Sequence, residues 1–202
     1  MDDTTERNLV DLKEAELDEF VYRIYALDRF KSLVAGKEDA VVNPTKSDDP
    51  FENFFLERTE VMHPTTGSTI PLKNLAADWY GQCWSTNKET DAMWRIYSPD
   101  PLTKPGVKVR TTIRKIFANI KSSGSSAPYL QFFIGKVRYL SENDITNLMS
   151  RLTFMDIAIG GQGNHFAELL CLKRTAFQHK SEIRLLFQDI DLPSKARHRR
   201  RL

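Results

Sequence analysis

The chain has 202 residues, 41% of them apolar and 28% charged, enough to build one sizeable core and too apolar to remain unfolded. Its net charge of +2 conceals a gradient: residues 1–60 hold 8 Lys/Arg against 16 Asp/Glu, whereas residues 173–202 hold 9 against 3. No run of about eighteen apolar residues occurs, and the acidic start lacks a basic-then-apolar pattern, which argues against a membrane-spanning helix and a secretion signal.

Residues 1–19 read as a polar acidic leader. "FVYRIY" (20–25) then reads as a strand and "LDRFKSLVAG" as a short helix, with Leu27, Phe30, Leu33 and Val34 on one face and Gly36 as its stop. "AVVNP" is a strand ended by Pro44, and "SDDPFENFFLE" a capped turn opening a helix. After the turn-rich "MHPTTGSTIP", the aromatic content of "WYGQCWS" (79–85) predicts a strand. On its pleat Trp79, Gly81, Cys83 and Ser85 share one face and Tyr80, Gln82 and Trp84 the other, so Ser85 leaves the sheet opposite Trp84. "NKETDAMWRIYS" changes to a helical period, with Thr86, Asn87 or Thr90 as cap. Met93 and Tyr97 stack at i,i+4 there, and Trp94 beside them is placed to wall a pocket.

The second half repeats the rhythm. "VKVRT" alternates as a half-buried strand does, and "TTIRKIFANIKS" spaces Ile113, Ile116, Phe117 and Ile120 as a helix. "YLQFFIGKVRYL" reads as one long strand or a hairpin about Gly135, "SENDITNLMSRL" as a capped helix, "HFAELLCLKRTAF" as another helix and "SEIRLLF" as a last strand. Strands and helices alternate without the Gly-rich turn of a dinucleotide-binding unit, so the expected fold is α+β: a mixed central sheet of short strands with packed helices in one domain over 20–190, followed by a basic tail over 191–202.

Motif searches narrow the chemistry. No P-loop, nucleophile elbow or metal-ligand pair is present, and the four histidines are dispersed, so no metal is expected. "GGQGN" (160–164) has the glycines for a phosphate cradle but lacks a lysine, and reads as a turn. "SKARHRRRL" offers nucleic acid a phosphate contact surface without base-reading geometry. Asp48, Asp49 and Glu52 form a sequential acidic cluster that fits a helix cap better than a nuclease metal site. With only Cys83 and Cys171, both inside apolar sequence, a disulfide framework is not expected and a cytoplasmic location is.

"YRIYALDRF", "NPTKSDDPFENFFLE", "YGQCWSTNKETDAMWRIYS", "GVKVRTT" and "LLCLKRTAFQHKSEIRLLF", in that order, resemble the prokaryotic domain-of-unknown-function family 2971 over about Tyr22 to Phe187. The resemblance implies a cytoplasmic bacterial protein, some members being encoded in phage-defence or abortive-infection settings. The family pattern continues past the last strand, which implies a member shortened at its C-terminus.

Two functions from different classes follow. An ADP-ribosyltransferase-like site would hold NAD with an Arg on an early strand, a Ser or Thr on a middle one and a Glu on a late one, the Glu stabilising the oxocarbenium electrostatically. Arg23, Ser85 and Glu182 occur in that order, with Trp94, Tyr97 and Arg184 as candidate ligand contacts. Lys180 stands where related sequences carry a second acid; a lysine weakens a base role there and suits a phosphate. The alternative is a non-catalytic interaction or sensor module of a defence assembly, bound to a protein partner. In that case Arg23 and Glu182 form one structural ion pair across neighbouring strands or each serve separately, and Arg184 equally binds Glu52 or Asp49.

Overall fold

The computed structural model describes residues 8–36, 39, 41–46, 56, 59–63, 65–124, 130–153 and 164–189, and the structural statements below concern these. In chain order the strands are β1 (Leu9–Val10), β2 (Phe20–Ala26), β3 (Glu60–Met62), β4 (Thr69–Pro71), β5 (Trp79–Ser85), β6 (Gly106–Thr112), β7 (Leu130–Lys136), β8 (Arg138–Leu140), β9 (Leu172–Arg174) and β10 (Glu182–Asp189). The helices are α1 (Leu27–Gly36), α2 (Leu72–Leu75), α3 (Asp91–Tyr97), α4 (Ile113–Gly124), α5 (Glu142–Ser150) and α6 (Asn164–Leu170).

Six strands form one mixed sheet in the order β1-β7-β10-β5-β2-β6. Only β1 pairs in parallel, with β7; the other neighbours are antiparallel. β3 and β4 form a separate hairpin, and β8 and β9 a separate parallel pair. The fold is α+β with a mixed central sheet, as the alternation of elements predicts.

Burial explains the order. In β10 every residue from Glu182 to Phe187 is buried, the charged Glu182 and Arg184 included, and a strand with no exposed position over that length belongs inside a sheet, between β5 and β7. One face is covered by α4, whose Ile113, Ile116, Phe117 and Ile120 pack against Phe132, Ile134 and Phe187. The other is covered by α5 and α6, where Ile145, Met149 and Phe166 meet Phe133, Leu186 and Trp79. Trp79 and Trp84 therefore serve opposite faces. The Trp79 ring lies 5.5 Å from that of Phe133, while Trp84 lies 6.4 Å from Tyr25 on the other side. α1 buries less than its stripe predicts: Leu27, Phe30 and Leu33 are half-buried and Val34 is exposed.

Three expectations need correction. Residues 8–19 are not a leader: Val10 and Leu17 are buried, and β1 extends the sheet. The acidic side chains there are answered by bases from the body. Arg114 bonds Glu14 at 2.8 Å and Asp18 at 2.9 Å, and Lys136 bonds Glu16 at 3.2 Å. Residues 130–140 are neither one strand nor a hairpin, because at Val137 the chain changes partners. The Val137 N–H bonds the Glu182 carbonyl and the Arg138 N–H bonds the Cys171 carbonyl, moving the strand from β10 to β9. That partner in turn ends the helix expected over 165–177 at Leu170, since Leu172–Arg174 is drawn out as β9. Close approach at the crossing requires Gly135, where a Cβ would lie 2.6 Å from Cys171 Sγ and 2.9 Å from Val10 Cβ.

Candidate functional site

A cavity of about 350 Å³ opens where the central sheet splits. β2 and β5 are joined at a single register pair, Tyr22 with Ser85. Further along, the free edge of β5 is taken instead by Val42, whose N–H and carbonyl exchange 2.9 Å bonds with Gly81. Asn43 holds this segment in place. Its buried amide donates to the carbonyls of Ala76, Ala77 and Trp79 at 3.2, 3.1 and 2.9 Å, and its Oδ1 accepts the Thr45 N–H at 3.0 Å. Met93 and Tyr97 of α3 border the opening, the helix being started by Thr90, which accepts the Met93 N–H at 3.2 Å.

The floor is written by the β5–β10 register. Ser85 faces Glu182, Cys83 faces Arg184 and Gly81 faces Leu186, so all six share one face of the sheet. Glu182, Lys173 and Arg184 are buried together, 5, 6 and 8% exposed. Lys173 Nζ lies 3.1 Å from Glu182 Oε1, and Arg184 Nη2 3.2 Å from Oε2. Arg184 Nη1 also donates to the Leu170 carbonyl, and the Glu182 N–H to the Tyr139 hydroxyl at 2.8 Å. Burial alone would raise the pKa of Glu182, but the charges of Arg184 and Lys173 outweigh it and hold the carboxyl below its ordinary range. The carboxylate is ionised and already neutralised by two cations.

Ser85 is committed too. Its hydroxyl donates to the Lys180 carbonyl at 2.6 Å and accepts the Asn87 N–H at 3.0 Å. Thr86 N–H adds a 3.0 Å bond to the carbonyl of Ser181, which sits in the left-handed region at φ 42°. These bonds latch the end of β5 to the turn that presents Lys180 at the cavity.

Of the sequence-predicted residues, Ser85, Glu182, Arg184 and Tyr97 border this cavity. Arg23 borders it as well, but its side chain belongs to the other face of the sheet. Tyr22 is in register with Ser85, so its neighbour points away. The Arg23 guanidinium carbon lies 4.7 Å from the Tyr25 ring centroid and Nη1 3.7 Å from Asp39. Asp39 there accepts from the Tyr25 hydroxyl at 2.7 Å. Of the two structural alternatives, one Arg23–Glu182 ion pair or separate service, the structure has the second: the two residues belong to separate networks on opposite faces, and Arg184 pairs with Glu182. Trp94 lines a different, much smaller crevice beside Lys108, its Nε1–H bonding Glu89 at 3.1 Å. Asp48, Asp49, Glu52, Gly160 to Gly163 and the basic tail lie outside the described residues.

Lys173, Cys83, Asn43 and Lys46 are not among the site residues expected from sequence, although Cys83 is placed there on the face of Ser85, yet all four border the cavity. Leaving Arg23 aside, four basic residues (Lys46, Lys173, Lys180 and Arg184) face one carboxylate, Glu182. Cys83 is exposed in it, whereas Cys171 is buried, which pushes its thiol pKa up to about 12. Among the described residues no group of three His, Cys, Asp or Glu is arranged to hold a metal ion, and no helix is long and apolar enough to cross a membrane. Comparison with family models, curated proteins and solved structures finds no match to this chain.

Proposed function

We propose that the protein is a ligand-binding module, a sensor rather than a catalyst, whose cavity receives a small anion. The observation that supports this reading is the charge of the lining, four basic residues against one carboxylate that is itself spent on two of them. In a partly enclosed cavity such an excess attracts an anion more strongly than it would on open surface. The resemblance to family 2971 implies a bacterial, cytoplasmic protein with some members in defence settings, and a defence assembly with a protein partner is the context we assign to such a module. Thermal unfolding with and without pyrophosphate tests the reading. A melting temperature that rises with pyrophosphate, and rises less at high salt and in Lys180→Ala, is expected; one indifferent to pyrophosphate contradicts it.

The transferase reading keeps one observation in its favour, the register pair of Ser85 and Glu182 facing one cavity. Three others count against it. Glu182 is neutralised where an oxocarbenium would need its charge, the Ser85 hydroxyl already donates to Lys180, and Arg23 points to the opposite face. At about 350 Å³ the cavity is also near the small end of the roughly 300–1,000 Å³ usual for ligand sites, which suits a compact anion better than a dinucleotide. Incubation with NAD separates the two: the sensor reading predicts no nicotinamide release, and release abolished by Glu182→Gln in a folded variant would restore the transferase.

A further inference from the structure

The floor of the cavity is polarised along the strands. At one end lie Glu182 and Ser85, with Lys173 and Lys180 brought in from β9 and the turn before β10. Two residues along each strand come Arg184 and Cys83, and two further Leu186 and Gly81, with Leu56 and Leu169 as apolar neighbours in the lining. Three of the four lining bases, Lys173, Lys180 and Arg184, are therefore gathered at the Glu182 end, while the Gly81 end carries the apolar Leu186 and the single base Lys46, which follows the Val42 bridge to Gly81; the exposed Cys83 thiol lies midway between the two ends. At the apolar end the strand carries no side chain at Gly81, where a Cβ would stand 2.9 Å from Leu186 Cδ2. A simple inorganic anion would meet only the charged end and leave the apolar end in contact with water.

Resting on the reading that this cavity binds an anion, we infer that its occupant is an amphiphilic organic anion: a phosphate or carboxylate head at Lys173, Lys180 and Arg184, and an apolar body extending past Cys83 toward Gly81 and Leu186. A ligand so placed covers the thiol. Cys83 is then a built-in reporter, because Cys171 is buried and alkylation of the folded protein falls on Cys83 alone.

The experiment follows the rate at which iodoacetamide, an uncharged reagent, modifies the full chain in the presence of inorganic phosphate, methyl phosphate, propyl phosphate or phenyl phosphate, with Cys83→Ser as the control for the site of labelling. Little protection by inorganic phosphate, and protection by the esters at concentrations that fall by about tenfold or more from methyl to phenyl phosphate, is expected from burial of the apolar body. In Lys180→Ala the whole series should shift to weaker protection while its slope is kept. Equal protection by all four phosphates would overturn the amphiphilic occupant and leave the anion site standing. Absence of protection by any of them, with Cys83 reacting freely, would overturn the amphiphilic occupant, as would a Cys83 that fails to react, whereas the anion site itself falls only if the melting temperature is also indifferent to pyrophosphate.

Discussion

Glu182 carries more of the fold than its place in a sequence motif implies. It lies between Lys173 and Arg184 with both oxygens engaged, and a buried triad of this kind fails badly when one member is removed. Glu182→Gln leaves two buried cations without a counter-charge, and a loss of about 3 kcal/mol or more in urea unfolding is expected. An unchanged unfolding midpoint would contradict the structural role. The pH dependence has a defined sign. Because the folded pKa is lowered from 4.5, this stabilisation is complete above pH 4.5 and is lost as the pH falls through the lower folded value. Acid titration of wild type should therefore show a loss below that pH that Glu182→Gln lacks. Ser85→Ala, which removes one hydroxyl bond to the Lys180 turn, should cost about 1 kcal/mol. The pleat of 79–85 makes the exit of Ser85 legible in sequence, and the two-residue spacing puts Glu182 and Arg184 on one face. Lys173 is hidden from such reasoning by the helical pattern that surrounds it, and the face of Arg23 is set only by a register that sequence does not supply.

Among elements, the long amphipathic helices declare themselves. α4 and α5 bury the residues their 3.6 period marks, and Ser141 caps α5 by accepting the Asp144 N–H at 3.1 Å. The failures fall where a short apolar run has two uses. Residues 130–140 and 165–177 are each divided by the same event, the parallel pairing of β8 with β9, and periodicity within a segment cannot register a partner elsewhere in the chain. The crossing that allows this division is tight at Gly135. Gly135→Ala places a methyl within 2.6 Å of Cys171 Sγ, so overpacking should destabilise the protein by about 1–3 kcal/mol, read from chemical unfolding. A neutral result would mean that β1 and the α6–β9 junction are loosely docked. The segment carrying Val42 and Asn43 is the second such case: it is short, and its bridge to Gly81 is what parts β2 from β5.

For the molecule as a whole, the acidic front and the bases it meets are consistent with one body rather than a leader and a core, as the contacts of Glu14, Glu16 and Asp18 illustrate. The α+β class follows from the order of elements, whereas the strand order places the last described strand at the centre, a consequence of its burial on both faces. That position brings Arg184 and the Lys180 turn beside the split between β2 and β5, and so turns a gap in the sheet into a cationic cavity. The most direct test is calorimetric titration of pyrophosphate into wild type and into Lys46→Ala/Lys180→Ala, each at low and high salt. Saturable binding by wild type that weakens with salt, and that falls by about tenfold or more in the double variant, is predicted from the loss of two lining charges; equal binding by both proteins, or none by wild type, would contradict an anion site in this cavity.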